Sequence, residues 1–135
     1  MVLIFPVMLG KLGHINPYNP LAPAHAPVLS DVRKQHLLYG NATGGGHLHG
    51  VGHACESEFP ADWTADMVVA NVMEAAANDN LNWQQQQNGN FVAETMEAGV
   101  QIRVVLDNTR SEIITAYPVS LPRNPCPNGR AANEH

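Results

Sequence analysis

The chain has 135 residues, with seven Lys and Arg against twelve Asp and Glu and a formal net charge of −5. That length supports one compact domain rather than two, and a hydrophobic share of 44% excludes global disorder. The acidic balance excludes a protein that coats nucleic acid through a broad basic face, but not an enzyme that grips one or two phosphates.

Residues 1–29 hold Pro6, Pro17, Pro20, Pro23 and Pro27. Neither a regular helix nor a central strand runs through that spacing, so the segment reads as an extended lead-in that packs Val2, Leu3, Ile4 and Phe5 on the domain. His14 and His25 lie in it. The apolar start from Met1 to Leu9 is too short for a membrane span and lacks the basic flank of a signal peptide, so no targeting signal and no membrane partner are expected.

Ser30-Asp31 offers an N-cap, and Val32 to Tyr39 make two helical turns ended by Gly40. Residues 40–56 form a loop rich in glycine and histidine. A turn over residues 57–63 leads to the main helix, from about Ala65 to Ala77, capped by Asp62 or Thr64. Val68, Val69, Val72, Met73 and Ala76 make its apolar stripe, and Met67 and Met73 are read as core. Asn78-Asp79-Asn80 stops it. Gln84 to Gln87 reads as an exposed connection. Three strands follow, Phe91–Met96, Val100–Leu106 and Ile113–Val119, joined by connections short enough for antiparallel hairpins. In the clearest, Val100, Ile102, Val104 and Leu106 alternate with residues bound for the other face. Val68, Val72, Ile102, Val104 and Ile113 should be largely buried. Helices followed by consecutive strands make the fold class α+β, with N-terminal helices packed on an antiparallel β-sheet. The domain is drawn over residues 30–122, with a Pro-rich tail over 123–135 trailing on the surface.

The chemistry gathers in one stretch. His36 ends the first helix, Gly44-Gly45-Gly46 follows the loop, and His47, His49 and His53 come after it. Glycines permit backbone conformations that a Cβ resists and allow close approach of a ligand. RNA carries its own nucleophile, the 2′-hydroxyl. One base and one acid flanking a phosphate therefore suffice to cut it, and two imidazoles fit that work near neutral pH. Donors that steady the charged phosphorane supply much of the rest. Thr115 and Tyr117, two apart on a strand, point to the same sheet face.

Four blocks together carry a resemblance: His36-Leu37-Leu38-Tyr39-Gly40, Gly44-Gly45-Gly46-His47-Leu48-His49-Gly50, Glu58-Phe59-Pro60-Ala61-Asp62-Trp63 and Thr115-Ala116-Tyr117-Pro118. In this order and approximate spacing the chain resembles the bacterial EndoU nuclease domain from about His36 to Pro118. The resemblance implies the fold shared by barnase-like and EndoU toxins. It implies an endoribonuclease that cleaves to 2′,3′-cyclic phosphate ends without metal or other cofactor. Such domains are often the toxic part of a secreted bacterial polymorphic toxin, acting in the target-cell cytoplasm. RNA, transfer RNA included, and a cognate immunity protein are the implied partners. By position, His36 and His47 correspond to the two family histidines, with His49 able to take the role given to His47, and Thr115 and Tyr117 fall in the C-terminal block. Gly45, Gly46 and Arg103 are assigned to substrate binding. The departure lies between Gly50 and Ser57, a loop that in the family often bears lysine. Here it reads Val51-Gly52-His53-Ala54-Cys55-Glu56, with His53 the candidate substitute.

Two other readings compete. His47, His49, His53 and Cys55 are zinc-ligand types, although His-x-His from a glycine loop is not a usual finger spacing. A catalytically degenerate EndoU-like module that binds a partner is the other. The P-loop and the Gly-x-Ser-x-Gly elbow are both absent from the sequence. Cys55 and Cys126 are too few for a disulfide framework and leave a single bridge open.

Overall fold

The computed structural model describes residues 26–127. The apolar residues Val2 to Phe5, with His14 and His25, lie outside them. Helix α1 (Asp31–Tyr39) begins where the Ser30 hydroxyl accepts the Arg33 N–H at 3.2 Å and ends at Gly40, whose φ is 82°. Helix α2 (Ala65–Ala76) begins in the same way, with Thr64 Oγ1 accepting the Met67 N–H. Among the described residues no helix is long and apolar enough to cross a membrane.

Strands β1 (Gln84–Gln85), β2 (Phe91–Glu97), β3 (Val100–Leu106) and β4 (Ile113–Pro118) form one antiparallel sheet in that order. The fold is therefore α+β, as the order of elements implies. The glutamine segment corrects the sequence reading. Gln84 and Gln85 pair with Val92 and Phe91, which adds a short fourth strand to the meander. β2 turns into β3 through Ala98-Gly99, both at positive φ (47° and 85°), the two-residue turn whose twist suits a hairpin. Before α1, Val28 bridges to Glu112 and extends the pairing next to β4.

The two faces of the sheet differ. On one, Val104 lies opposite Ala93 and Ala116, and Val100, Ile102 and Leu106 continue the row under the helices. Leu37 and Leu38 of α1 and Val68, Val72, Ala75 and Ala76 of α2 close this core with Phe59, Trp63 and Ile113. All five residues expected to be buried have no exposed surface. Burying each contributes roughly 1.5–3 kcal/mol. Met67 and Met73, expected in the core, are instead 42% and 40% exposed. Met73 lies five residues after Val68, about 140° round the helix, and Ala75 takes the inward position. On the other face Glu94, Arg103 and Tyr117 stand in one row and Val92, Val105 and Thr115 in the next. Segment 47–57 covers this face at β4, where Ser57 Oγ donates to the Pro118 carbonyl at 2.8 Å. Towards β1 it is more open, with Glu94 exposed and Val92 and Arg103 half-buried.

Candidate active site

The chain after the glycines doubles back along the last turn of α1. Gly46, His47 and Leu48 donate their N–H groups to the carbonyls of His36, Leu37 and Leu38, at 2.9, 2.8 and 3.1 Å. The carbonyls that a helix end leaves unsatisfied are thus filled by the loop. The approach is so close that a Cβ at Gly45 would overlap the His36 carbonyl oxygen, and φ there is +80°. A Cβ at Gly40 would likewise meet the His53 ring, and one at Gly46 would come within 3.0 Å of His53 Nδ1. The glycines are therefore the surface on which His36 and His53 pack. Gly46 spends its N–H on the fold rather than offering it to a phosphate.

His36 is buried, and its Nδ1 lies 3.2 Å from Asn41 Oδ1. That oxygen also accepts the Thr43 N–H and hydroxyl, which identifies it as the amide oxygen. Nδ1 of His36 must then carry the proton, leaving Nε2, beside Gly45, with the lone pair of the neutral ring. Burial lowers the His36 pKa, the Asn41 bond opposes that, and the Arg33 charge adds to the lowering.

His47 is 1% exposed and held on all sides. Its ring stacks on Tyr117, with centroids 5.4 Å apart and 26° between planes. Nδ1 donates to the Ser57 carbonyl oxygen at 2.6 Å, and its own carbonyl accepts the Phe59 N–H at 2.7 Å. Nε2 faces the buried Glu56 carboxylate at 3.6 Å. With Nδ1 committed as a donor, a lone pair on Nε2 facing a carboxylate would be repulsive. A protonated Nε2 would complement that carboxylate.

His49 projects outward, its side chain 55% exposed and 3.8 Å from Glu58 Oε1. Burial pushes the Glu58 carboxyl up, but the N–H groups of Gly50 and Gly52, the Asn124 amide and His49 outweigh it and hold it low. Thr115 is fully buried, and its hydroxyl has no hydrogen bond to any described residue. Arg103 donates through Nε and Nη2 to Glu94 Oε2, and Nη1 lies 3.5 Å from the Tyr117 hydroxyl.

The structure thus brings His47, Tyr117 and Arg103 into one connected row. It sets His36 on the glycine loop and leaves His49 at the surface. A cleft of about 370 Å³, lined by Asn41, Gly44, Gly52, His53 and Glu56 among others, adjoins His36 through Asn41 and His47 through Glu56 and is lined by neither histidine. Glu56 and the packing of His53 were not assigned from the sequence, because both contacts form across a fold of the loop with no spacing signature.

The wall of this cleft is pinned by the tail. Cys55 and Cys126 form a disulfide across 71 residues. Asn124 donates its backbone N–H to the Glu56 carbonyl and its amide to the His53 carbonyl, both at 2.8 Å. The tail from Arg123 to Cys126, partly exposed, is therefore bonded to the wall of the cleft. The disulfide also removes Cys55 from the zinc-ligand set. Among the described residues no three His, Cys, Asp or Glu side chains gather to hold a metal ion.

The family model described as bacterial EndoU nuclease matches residues 51–120. The match includes His53, Glu56, Thr115 and Tyr117 and begins after His36, His47 and His49. No curated protein and no solved structure matches the chain.

Proposed function

Since the chain belongs to the bacterial EndoU nuclease family, we propose that it is an endoribonuclease that cuts RNA by transesterification. His36 Nε2 takes the proton of the 2′-hydroxyl, the freed oxygen attacks the adjacent phosphorus, and the 5′-oxygen leaves with a proton from the His47–Glu56 pair. The products are a 2′,3′-cyclic phosphate and a 5′-hydroxyl. The observation that carries this reading is the contrast between the two histidines. His36 is held neutral with its lone pair on Nε2, while His47 turns its Nε2 to the Glu56 carboxylate. Two titratable groups whose surroundings favour opposite protonation states divide the acid and base work between them. Glu56 lines the cleft as well as facing His47, so it links that ring to the cleft in which the phosphate would sit. His53 supplies a donor to that phosphate, and Tyr117 holds the His47 ring in place. No step needs a metal ion.

The test is incubation with total RNA in chelator, followed by mapping of the new ends. Cyclic phosphate ends are expected, and their loss in His36→Ala. Cleavage by that variant at the parent rate would refute the two-histidine mechanism. A second reading, a catalytically degenerate module that binds RNA or a protein partner, draws on the 1% exposure of His47. The same assay separates the two, since a degenerate module leaves RNA intact.

Family membership also supports a place as the nuclease part of a secreted bacterial toxin, with transfer RNA among its substrates and a cognate immunity protein as partner. Expression inside a bacterial cell should then arrest growth, and His36→Ala should relieve the arrest.

A further inference from the structure

Residues 50–56 carry two of the side chains that line the candidate cleft, His53 and Glu56, yet they form neither helix nor strand. The loop's own backbone bonds are long: Val51 N–H to the Leu48 carbonyl at 3.2 Å, and Glu56 N–H to the His53 carbonyl at 3.4 Å. Gly50 and Gly52 stand at φ 93° and 79°, and a Cβ at either would meet nothing within 4 Å. These two glycines serve a left-handed turn, not a close approach. A loop of this kind keeps one shape only if something outside it offsets the entropy of ordering.

Glu58 fills that role, although it has no part in the cleavage described above. Its neighbours in sequence give it a firm base: Ser57 is bonded to Pro118 and His47, and Phe59 is buried in the core. The Glu58 side chain is 14% exposed. Oε1 accepts the Gly50 N–H at 3.0 Å, and Oε2 accepts the Gly52 N–H at 2.7 Å and the Asn124 amide at 3.1 Å. The same amide nitrogen donates to the His53 carbonyl at 2.8 Å, and the Asn124 backbone N–H to the Glu56 carbonyl at 2.8 Å. Glu58 thus holds the start of the loop directly and the stretch from His53 to Glu56 through Asn124. Three donors converge on it, and an ionised carboxylate only accepts. A carboxamide of the same shape would turn its own NH2 group towards one of those donors.

We infer that Glu58 is a positioning residue of the nuclease: its carboxylate, relayed by Asn124, sets His53 and Glu56 in the wall of the cleft. The inference rests on the RNA-cutting reading for its effect on rate but not for its effect on the loop. Catalytic groups need to be held within ~0.5 Å of their productive places by what surrounds them. A displacement of about 1 Å costs on the order of a hundredfold in rate. His53 and Glu56 act where charge and protons move, so their displacement falls on kcat more than on KM.

Two measurements on the full chain test it, with Glu58→Gln, Asn124→Ala and the double variant. The first is the kinetics of cutting a synthetic single-stranded RNA, well below the melt. Each single variant should lower kcat by about tenfold to a hundredfold, with KM within about threefold of the parent. Both act along one path, so the double variant should lose little more than the worse single one. The second is NMR of amide exchange at Gly50 and Gly52 and of the His53 ring. Glu58→Gln should speed that exchange and shift the ring signals, while protection in α2 and β3 stays as in the parent. A general loss of fold would lower protection everywhere. Asn124→Ala, which removes no core side chain, carries the test should Glu58→Gln fail to fold. Parent kcat in both single variants, or losses that multiply in the double one, overturns the inference. Lost activity with an unchanged loop also overturns it, since Glu58 would then act on the RNA itself. If the parent cuts no RNA but Glu58→Gln frees the glycine amides and moves the His53 ring, the RNA-cutting reading fails and the hold of Glu58 on the loop stands.

Discussion

The imidazole of His47 lies flat against the phenol ring of Tyr117, and the opposite side of that histidine's chemistry belongs to Glu56. Tyr117 holds the ring by its face, and Glu56 addresses its Nε2. Removing each should therefore have a different effect. Tyr117→Phe keeps the stack and loses the hydroxyl that Arg103 reaches at 3.5 Å, so cleavage should fall less than about tenfold. Glu56→Gln keeps the shape but removes the carboxylate that His47 Nε2 faces, and the rate should fall roughly a hundredfold. Rates of the two variants at saturating RNA test this, and equal losses would separate Glu56 from proton transfer.

The lowered pKa of His36 predicts a pH effect on both rate and stability. As a base, His36 must be neutral, so the acidic limb of the rate profile should have its midpoint below the ordinary histidine value of 6.5. For stability, the unfolded histidine takes up its proton near 6.5 and the folded one only at lower pH. Between the two the unfolded chain binds more protons, so stability should fall as pH drops through this window and level off below it. Glu58 and Asp107, whose carboxyls are also held low in the fold, continue the loss at more acidic pH. Urea midpoints from neutral pH downward check the sign, and His36→Gln should remove the first part of the fall.

Core substitutions should separate two apolar residues by their exposure. Ile102 is fully buried, and Ile102→Ala should cost about 2–5 kcal/mol. Met73 is 40% exposed, and Met73→Ala should stay within about 0.5 kcal/mol of the parent. Chemical denaturation of the two variants measures both.

The Cys55–Cys126 bridge spans 71 residues, and loop-closure entropy gives it a stabilisation of about 4 kcal/mol. Cys126→Ser should lower the denaturation midpoint accordingly. It should also free Asn124 from the His53 and Glu56 carbonyls, seen as faster amide exchange at Asn124 and Cys55.

Much of this architecture was legible in residue order. Alternation marked Val100 to Leu106 as a strand because one face is buried and the next residue always points away. Ser30 and Thr64 announced their helices by chemistry that acts within three residues. Gln84-Gln85 reads as an exposed connection because two polar residues carry no period, and their pairing is dictated by β2. Met73 was misplaced because apolar character alone does not determine how a helix is turned. At the site, His36, His47, Thr115 and Tyr117 stand out by motif, but their surroundings do not. The His53 ring against Gly40, the Glu56 carboxylate against His47 and the hold of Asn124 all join residues across loops, where no local spacing constrains the partner.

The disulfide makes residues 55–126 a closed covalent ring that contains α2 and all four strands. A protease that cut the exposed turn at residues 86–88 would open the backbone without releasing either fragment. Electrophoresis without reductant would still show a single band of parent mass, and reductant would split it in two. A molecule nicked there still carries His53, Glu56 and Asn124 on one side of the break or bonded across it, so the wall of the cleft outlasts an interruption that would take apart an unbridged chain.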